Sequence, residues 1–221
     1  MKTNEALQKD VQEALKWEPL LRTAEIGVIV KDGIVTLTGT VDNYTKKIEA
    51  ENAVKNVAGV KALVEHIKVD LSDAMVRTDS EVAAEVVKAL EKNKSLPAGK
   101  IKIKVENGLV YLEGRIAWDF QREAARKSIE TVRGVKGVID NLELKTEAHD
   151  LLEEKLIKDA FRRHWSLNPD NIEIHVAGNH VILKGYVTSL YQKEEAGRIV
   201  WKTPGVWSLD NQLIVEYALG T

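Results

Sequence analysis

One short segment that alternates apolar and polar residues and closes on glycine occurs three times in this chain. Residues 26–39 read IGVIVKDGIVTLTG, residues 101–114 read IKIKVENGLVYLEG, and residues 172–185 read IEIHVAGNHVILKG. Each copy contains two runs typical of β-strands on either side of a two-residue turn. The turns are Asp32-Gly33, Asn107-Gly108 and Gly178-Asn179. Such dipeptides predict a β-hairpin, because type I′ and II′ turns require positive φ.

The repetition extends well beyond the hairpins. The copies start 75 and then 71 residues apart, and their surroundings align without a gap over 5–69, 80–144 and 151–215. The difference in spacing falls in the linkers, which we therefore take as domain boundaries. The predicted domains are residues 1–70, 71–146 and 147–221. A repeat of roughly 65 residues is near the lower limit for independent stability, so we expect the repeats to pack against one another.

Each repeat is predicted to begin with a helix, continue through the hairpin to a second helix, and end on a strand. Leu7, Val11 and Leu15 share one face of the first helix, and Thr78 with Glu81 forms a capping box in the second repeat. The stripe in the third repeat is Leu152, Leu156, Ala160 and Phe161. One face of each hairpin is apolar and the other polar, which indicates a sheet buried on one side. The predicted fold class is α+β, with three tandem small α-β-β-α-β domains, each a three-stranded sheet with two helices on one face.

Charge and composition limit the classes of function. A net charge of −2 argues against general affinity for nucleic acid, so no nucleic-acid partner is expected. The chain has no cysteines, which excludes disulfides and thiolate metal sites. The N-terminus lacks the apolar core of a signal peptide, and no apolar run reaches the ~20 residues of a membrane span. We therefore expect a cytoplasmic protein as the sequence stands, or a periplasmic one if a leader has been removed.

The hairpin and the segment after it resemble a known family. The pattern V-x-[DN]-G-x-V-x-L-x-G, with a later Gly-Val pair, is similar to the motif of the BON domain family. It stands here as residues 30–39 with Gly59-Val60, residues 105–114 with Gly134-Val135, and, with Gly178-Asn179 in the turn, residues 176–185 with Gly205-Val206. The resemblance implies binding modules of the bacterial envelope, associated with phospholipid surfaces and with osmotic or envelope stress. A cytosolic relative binds potassium, so the resemblance also admits an ion-sensing function. Its motif consists of fold residues and assigns no functional residue.

No catalytic, cofactor or metal site is predicted. The five histidines are His66, His149, His164, His175 and His180. None lies in a nucleophile-elbow, HExxH or P-loop pattern. Only His175 and His180 lie close together, and both fall on the strand face expected to contact solvent. Two exposed strand histidines explain this pair better than a weak divalent-metal site.

A basic residue recurs early in the second helix of every repeat. The aligned residues are Lys47, Arg122 and Lys193, and the middle repeat adds Arg126, Lys127, Arg133 and Lys136. The middle repeat carries 14 Lys and Arg residues against 12 Asp and Glu, whereas the first and third repeats have net charges of −1 and −3. These cations can be interpreted in two ways. They form an ordinary solvated helix face, or they are a binding surface for anionic phospholipid headgroups or for the acidic third repeat of a neighbouring copy. The candidate lipid-binding residues are Lys47, Arg122, Arg126, Lys127 and Lys193.

Trp201 and Trp207 are the interface candidates. The residues aligned with them are Lys55 and Glu130 for Trp201, and Lys61 and Lys136 for Trp207. Two neighbouring tryptophans at positions that otherwise carry charge indicate a surface for a protein partner, for self-association or for a membrane. Alternatively, Tyr217 and Leu219 or another repeat cover both rings from within.

The residues and the resemblance together predict a binding protein without catalysis or a cofactor. It is expected to associate with anionic phospholipid or envelope surfaces in osmotic or envelope stress. The alternative is a cytosolic protein-interaction module or a potassium-sensing module.

Overall fold

The computed structural model describes residues 2–22, 24–72, 76–144 and 154–216. The helices in these residues are α1 (Asn4–Trp17), α2 (Tyr44–Lys55), α3 (Asp79–Lys92), α4 (Asp119–Glu130), α5 (Glu154–Arg162) and α6 (Leu190–Trp201). The strands are β1 (Glu25–Lys31), β2 (Ile34–Val41), β3 (Ala62–Val69), β4 (Ile101–Glu106), β5 (Leu109–Ile116), β6 (Gly137–Leu144), β7 (Ile172–Ala177), β8 (His180–Val187), β9 (Ser208–Asn211) and β10 (Ile214–Val215). The order α-β-β-α-β therefore occurs three times, and the predicted α+β fold of three tandem small domains is confirmed.

Each sheet is built around the second strand of its hairpin. The strand orders are β1-β2-β3 and β4-β5-β6, and in the third sheet β8 lies between β7 and the pair β9 and β10. In the second sheet β4 runs antiparallel to β5, whereas β6 runs parallel to it. The parallel pairing requires a crossover, and α4 supplies it. In the third repeat the last strand is interrupted at Gln212 and Leu213, so that β9 and β10 pair with successive parts of β8.

The hairpin turns have the backbone conformation predicted for their dipeptides. Asn107 and Gly108 have φ values of 53° and 80°, and the first repeat has the same arrangement. Positive φ at both central positions is the mark of a type I′ turn. In the third repeat Gly178 has a φ of 61° but Asn179 is not in the positive region, as in a type II′ turn.

The glycine that closes each repeated segment allows a close backbone contact. Gly114 has a φ of 138°, and a Cβ added to it would lie 2.1 Å from the carbonyl oxygen of Lys100. Gly39 and Gly185 have equivalent backbone neighbours. Only glycine fits this position, which explains why the residue recurs in every copy.

One face of each sheet is covered by its two helices. In the second repeat, Leu112 and Ile116 of β5 are buried against Val86 of α3 and Ile129 of α4. The third repeat has the same layers, with Phe161 of the predicted stripe fully buried. Each such side chain contributes about 1.5–3 kcal/mol by its removal from water. The prediction that Leu156 belongs to that stripe is wrong, because Leu156 is 49% exposed and Ile157 is buried instead. Leu152 lies outside the described residues.

Contacts within the chain define two compact units. One consists of residues 1–39, 49–67 and 148–221, and the other of residues 40–48 and 68–147. The division passes through β2 and α2, so each unit combines parts of two repeats. The division does not mark where one repeat ends, and the boundaries at 70/71 and 146/147 stay a prediction.

Within the first compact unit, the end of α2 contacts the third repeat. The Gly59 N–H donates a hydrogen bond of 3.0 Å to the carbonyl oxygen of Thr188. Lys55 Nζ lies 2.9 Å from Glu194 Oε1 on α6. A partly exposed ion pair of this kind contributes up to about 1 kcal/mol.

Within the second compact unit, the start of α2 contacts the second repeat. Tyr44 is 6% exposed and belongs to the same buried cluster as Val82 and Val86 of α3. Thr45 Oγ1 donates a hydrogen bond of 3.1 Å to the carbonyl oxygen of Glu130. The expectation that the small repeats pack against one another is therefore confirmed.

Candidate functional site

Arg122, one of the predicted lipid-binding residues, lies in the first turn of α4 and is held by two carboxylates. Its Nη1 lies 3.1 Å from Asp119 Oδ1, and its Nε lies 3.3 Å from Asp140 Oδ2 on β6. Its Nη2 donates a hydrogen bond of 2.7 Å to the carbonyl oxygen of Leu142. The guanidinium therefore ties α4 to β6, and its charge is compensated inside the repeat.

The position of Asp140 carries a polar side chain in all three repeats. Asp140 Oδ1 accepts the Leu142 N–H at 2.9 Å, and Asn211 Oδ1 accepts the Leu213 N–H at 3.3 Å. In the third repeat the Asn211 Nδ2 also donates a hydrogen bond of 2.8 Å to the carbonyl oxygen of Lys193. The second helix is thus joined to the last strand at this point in the second and third repeats.

Lys47 and Lys193, which align with Arg122, are both half-buried. Neither extends freely into solvent along its whole length, although an ammonium at the end of a partly covered stem remains able to reach an anion. At this recurring basic position Arg122 is paired inside its repeat, and all three side chains keep partial access to solvent.

Asp119 is an unusual residue for its position in the fold. Its side chain is 9% exposed, whereas the aligned residues of the other repeats, Tyr44 and Leu190, are apolar or aromatic. Burial raises the pKa of the Asp119 carboxyl above its ordinary value, and the charge of Arg122 opposes this effect. The carboxylate is a buried anion that depends on Arg122.

The cations at the other end of α4 differ from Arg122 in having no such compensation. We define the basic end of α4 as Arg126, Lys127, Arg133 and Lys136. Lys127, Arg133 and Lys136 are exposed, and Arg126 is half-buried. Among the described residues, no carboxylate forms a salt bridge with any of the four. Their charge is therefore directed to solvent.

The two interface candidates, Trp201 and Trp207, have different surroundings. Trp201 is half-buried and packs against the core of the third repeat. Trp207 is 48% exposed, and its backbone N–H donates a hydrogen bond of 2.9 Å to the carbonyl oxygen of Asn179. The proposed cover, Tyr217 and Leu219, lies outside the described residues.

The most exposed tryptophans of the described residues are two that were not predicted as interface residues. Trp17 is 84% exposed at the end of α1, and Trp165 is 89% exposed just after α5. Both lie in the connection between the first helix and the first strand of a repeat. The second repeat has Lys92 and Lys94 at the aligned positions. That exchange of tryptophan for lysine was the available signal that these positions face solvent.

His175 and His180 lie on the open face of the third sheet, as predicted. His175 is paired with Ile182 and His180 with Ala177, so the two rings are diagonal neighbours across the hairpin. His180 Nδ1 lies 2.5 Å from Ser208 Oγ. In the described ranges, no group of three or more His, Asp or Glu residues could hold a metal ion. No helix in those ranges is both long and apolar enough to cross a membrane.

Comparison with known proteins identifies the repeats. The BON domain family matches residues 3–70, 78–146 and 151–217. The "Osmotically-inducible protein Y" of Escherichia coli (strain K12) is 26% identical over 144 residues, which are 63% of this chain and 72% of that protein. The "21 kDa hemolysin" of Actinobacillus pleuropneumoniae is 28% identical over 135 residues, which are 60% of this chain and 66% of that protein.

Among solved structures, one match is the C-terminal domain of CdsD, a structural protein of the type III secretion system of Chlamydia trachomatis. It is 14% identical to this chain, and the match covers 98% of this chain and 100% of the CdsD chain. Its TM-score of 0.25 is too low to support any conclusion. The family match, in contrast, extends over nearly the whole chain and coincides with the three α-β-β-α-β repeats. The chain belongs to the BON domain family.

Proposed function

We propose that this chain is a binding protein without catalysis, which associates with anionic phospholipid surfaces in osmotic or envelope stress. The family supports this function, as does similarity to a protein whose name describes it as osmotically inducible. A second relative is named as a hemolysin, which is consistent with action at a membrane.

The basic end of α4 is the observation that carries the proposal. Its four cations lie within eleven residues of one another, and no described carboxylate neutralises them. Each Lys or Arg held near an anionic bilayer contributes about 1 kcal/mol. The four cations together therefore supply about 4 kcal/mol, and this attraction weakens as salt screens it.

Arg122 has a different function in this proposal. Because Asp119 and Asp140 compensate its charge, it contributes less to a headgroup site than Arg126 or Lys127 does. It fixes the start of α4 against β6 and so holds the basic end in place. Lys47 and Lys193 are additional, half-buried contributors from the other repeats.

The test is co-sedimentation of charge-reversal variants with vesicles of phosphatidylglycerol and phosphatidylcholine. Arg126→Glu combined with Lys127→Glu is expected to lower the bound fraction at low salt. The matched control is Lys31→Glu combined with Lys184→Glu, which changes the net charge equally at exposed strand positions. Equal losses in both double variants would show that only the overall charge matters. Unchanged binding in the α4 variant would exclude this site.

Trp207 favours a second candidate function, association with a protein partner or a second copy. Its ring is 48% exposed at a position where the other repeats carry Lys61 and Lys136. Exposed aromatic residues are enriched at protein interfaces. Trp207→Lys should then change the mass measured by light scattering, or the capture of a partner, while the circular dichroism spectrum stays the same. An unchanged mass and unchanged capture would exclude Trp207 from such an interface.

A further inference from the structure

The connection from α1 to β1 exposes an unusual amount of apolar surface. We call residues 16–22 the first connection. In it Trp17 is 84% exposed and Leu20 is 49% exposed. The exposed cations Lys16 and Arg22 flank these two residues, and the carboxylate between them, Glu18, is half-buried. The segment therefore presents an indole ring and a leucine between two positive charges.

The third repeat presents the same chemistry at the corresponding place. We call residues 162–166 the third connection. Trp165 is 89% exposed, and the preceding Arg162 and Arg163 are exposed as well. The second repeat has exposed Lys92 and Lys94 there. Tryptophan with arginine or lysine thus occurs in both the first and the third connection. The corresponding segment of the second repeat is basic and has no tryptophan.

These side chains are not explained by the packing of the repeats. An indole that remains almost fully in water forgoes the stabilisation that burial would give, which for an aromatic residue exceeds that of most side chains. Trp165 lies outside the buried cluster of its own repeat, which holds Phe161, and Trp17 is 84% exposed. Their exposure therefore favours an occupant from outside the repeat.

The charges decide what kind of occupant fits. Protein interfaces are enriched in tryptophan and arginine but depleted of lysine, so Lys16 beside Trp17 counts against a protein partner. At a membrane surface, by contrast, indole rings lie at headgroup level while Lys and Arg extend to the phosphates. Lys16, Arg22 and Arg163 form no salt bridge with any described carboxylate, so they complement an anionic surface.

We propose that the first and third connections enter the headgroup layer of an anionic lipid bilayer, with Trp17 and Trp165 as the inserted side chains. The inference rests on the proposed phospholipid function and adds apolar insertion to the electrostatic attraction of α4. Insertion makes part of the binding resistant to salt, because burial of the indole rings is not screened.

The experiment uses the full chain and vesicles of phosphatidylglycerol and phosphatidylcholine, part of which carries bromine on its acyl chains and quenches tryptophan on contact. The variants are Trp17→Ser and Trp165→Ser, which leave the half-buried Trp118 and Trp201 and the 48% exposed Trp207 in place as a constant background. Brominated vesicles are expected to quench wild-type fluorescence, and each substitution is expected to remove part of that quenching. The double variant should bind about tenfold more weakly at high salt. Trp17→Phe is the conservative control and should retain binding.

The outcomes separate this inference from the proposed function. Vesicle binding without quenching, or with quenching that both serine substitutions leave unchanged, overturns the insertion and leaves the headgroup function standing. Absence of vesicle binding overturns both. A change in the oligomeric mass of Trp17→Ser in the absence of vesicles would also overturn the inference, because it would assign the ring to a protein interface. Circular dichroism confirms that each variant is folded.

Discussion

Arg122 Nε lies 3.3 Å from Asp140 Oδ2, and this ion pair joins the first turn of α4 to β6. The same guanidinium contacts Asp119 at 3.1 Å. Two poorly solvated carboxylates therefore share one cation. Arg122 accordingly contributes more to the stability of the fold than to a binding surface.

Arg122→Ala should destabilise the protein, because it leaves Asp119 and Asp140 without their cation in a partly buried site. The expected loss in the free energy of unfolding is about 2–3 kcal/mol. Denaturant titration measures it. Lys127→Ala removes an exposed cation from the same helix and should change stability by less than about 0.5 kcal/mol. Equal effects of the two substitutions would contradict the structural function assigned to Arg122.

The buried Asp119 predicts a dependence of stability on pH. Its pKa in the folded protein is raised above the ordinary value of 3.8, chiefly by burial. A raised folded pKa contributes stability that is present below the unfolded pKa and is lost as the pH rises through the folded pKa. The stability of the wild-type protein should therefore fall relative to Asp119→Asn as the pH rises from about 3 through the raised pKa.

Unfolding midpoints of both proteins across this acidic range test that prediction. The difference between the two should grow in favour of Asp119→Asn as the pH rises, and it should level off once the folded carboxyl has ionised. A difference that is independent of pH, or one of opposite sign, would show that the carboxyl is not destabilised by its surroundings.

The closing glycine predicts a steep penalty for the smallest side chain. In Gly114→Ala the new Cβ would lie 2.1 Å from the Lys100 carbonyl oxygen, so the hairpin must shift. We expect a loss of about 3 kcal/mol or more. The matched control is Gly99→Ala, where φ is also positive at 69° but no atom lies within 4 Å of the added Cβ. That control should cost only the backbone strain, about 1 kcal/mol.

Substitutions of Trp201 and of Trp207 should differ in their effect on the free energy of unfolding. Trp201→Ala removes a ring that packs against the core of the third repeat, and the expected loss is about 2 kcal/mol. Trp207→Lys replaces a ring that is 48% exposed by the residue found at the aligned positions, and it should cost less than about 0.5 kcal/mol. Thermal unfolding compares them. If Trp207→Lys proved the more destabilising, that ring would belong to the core.

The parts of the fold that depend on residues close together along the chain could be predicted from the sequence. The turn of Asn107-Gly108 and the closing Gly114 are specified by local backbone requirements, and both have the expected positive φ. The apolar stripe of α1 could be read in the same way, because it follows the helical period and its members Leu7 and Val11 are buried.

The candidate site depends on contacts that the sequence does not display. Arg122 is predicted to contact lipid because a basic residue recurs at its aligned position. Its pairing with Asp140 could not be predicted, because the place of that strand in the sheet cannot be read from the sequence. Trp201 aligns with charged residues, which indicates a surface position. Its ring nevertheless packs against the core of the third repeat, whereas a lysine at that position can extend into solvent. Trp17 is the opposite case, because its ring is 84% exposed, as the aligned lysine indicated.

The most direct test of the proposed function is co-sedimentation of the unmodified protein with anionic and with neutral vesicles, at low and at high salt. The proposed function predicts binding to phosphatidylglycerol vesicles that decreases as salt rises, and little binding to phosphatidylcholine alone. Equal binding to both kinds of vesicle, or no binding to the anionic ones at low salt, would contradict it.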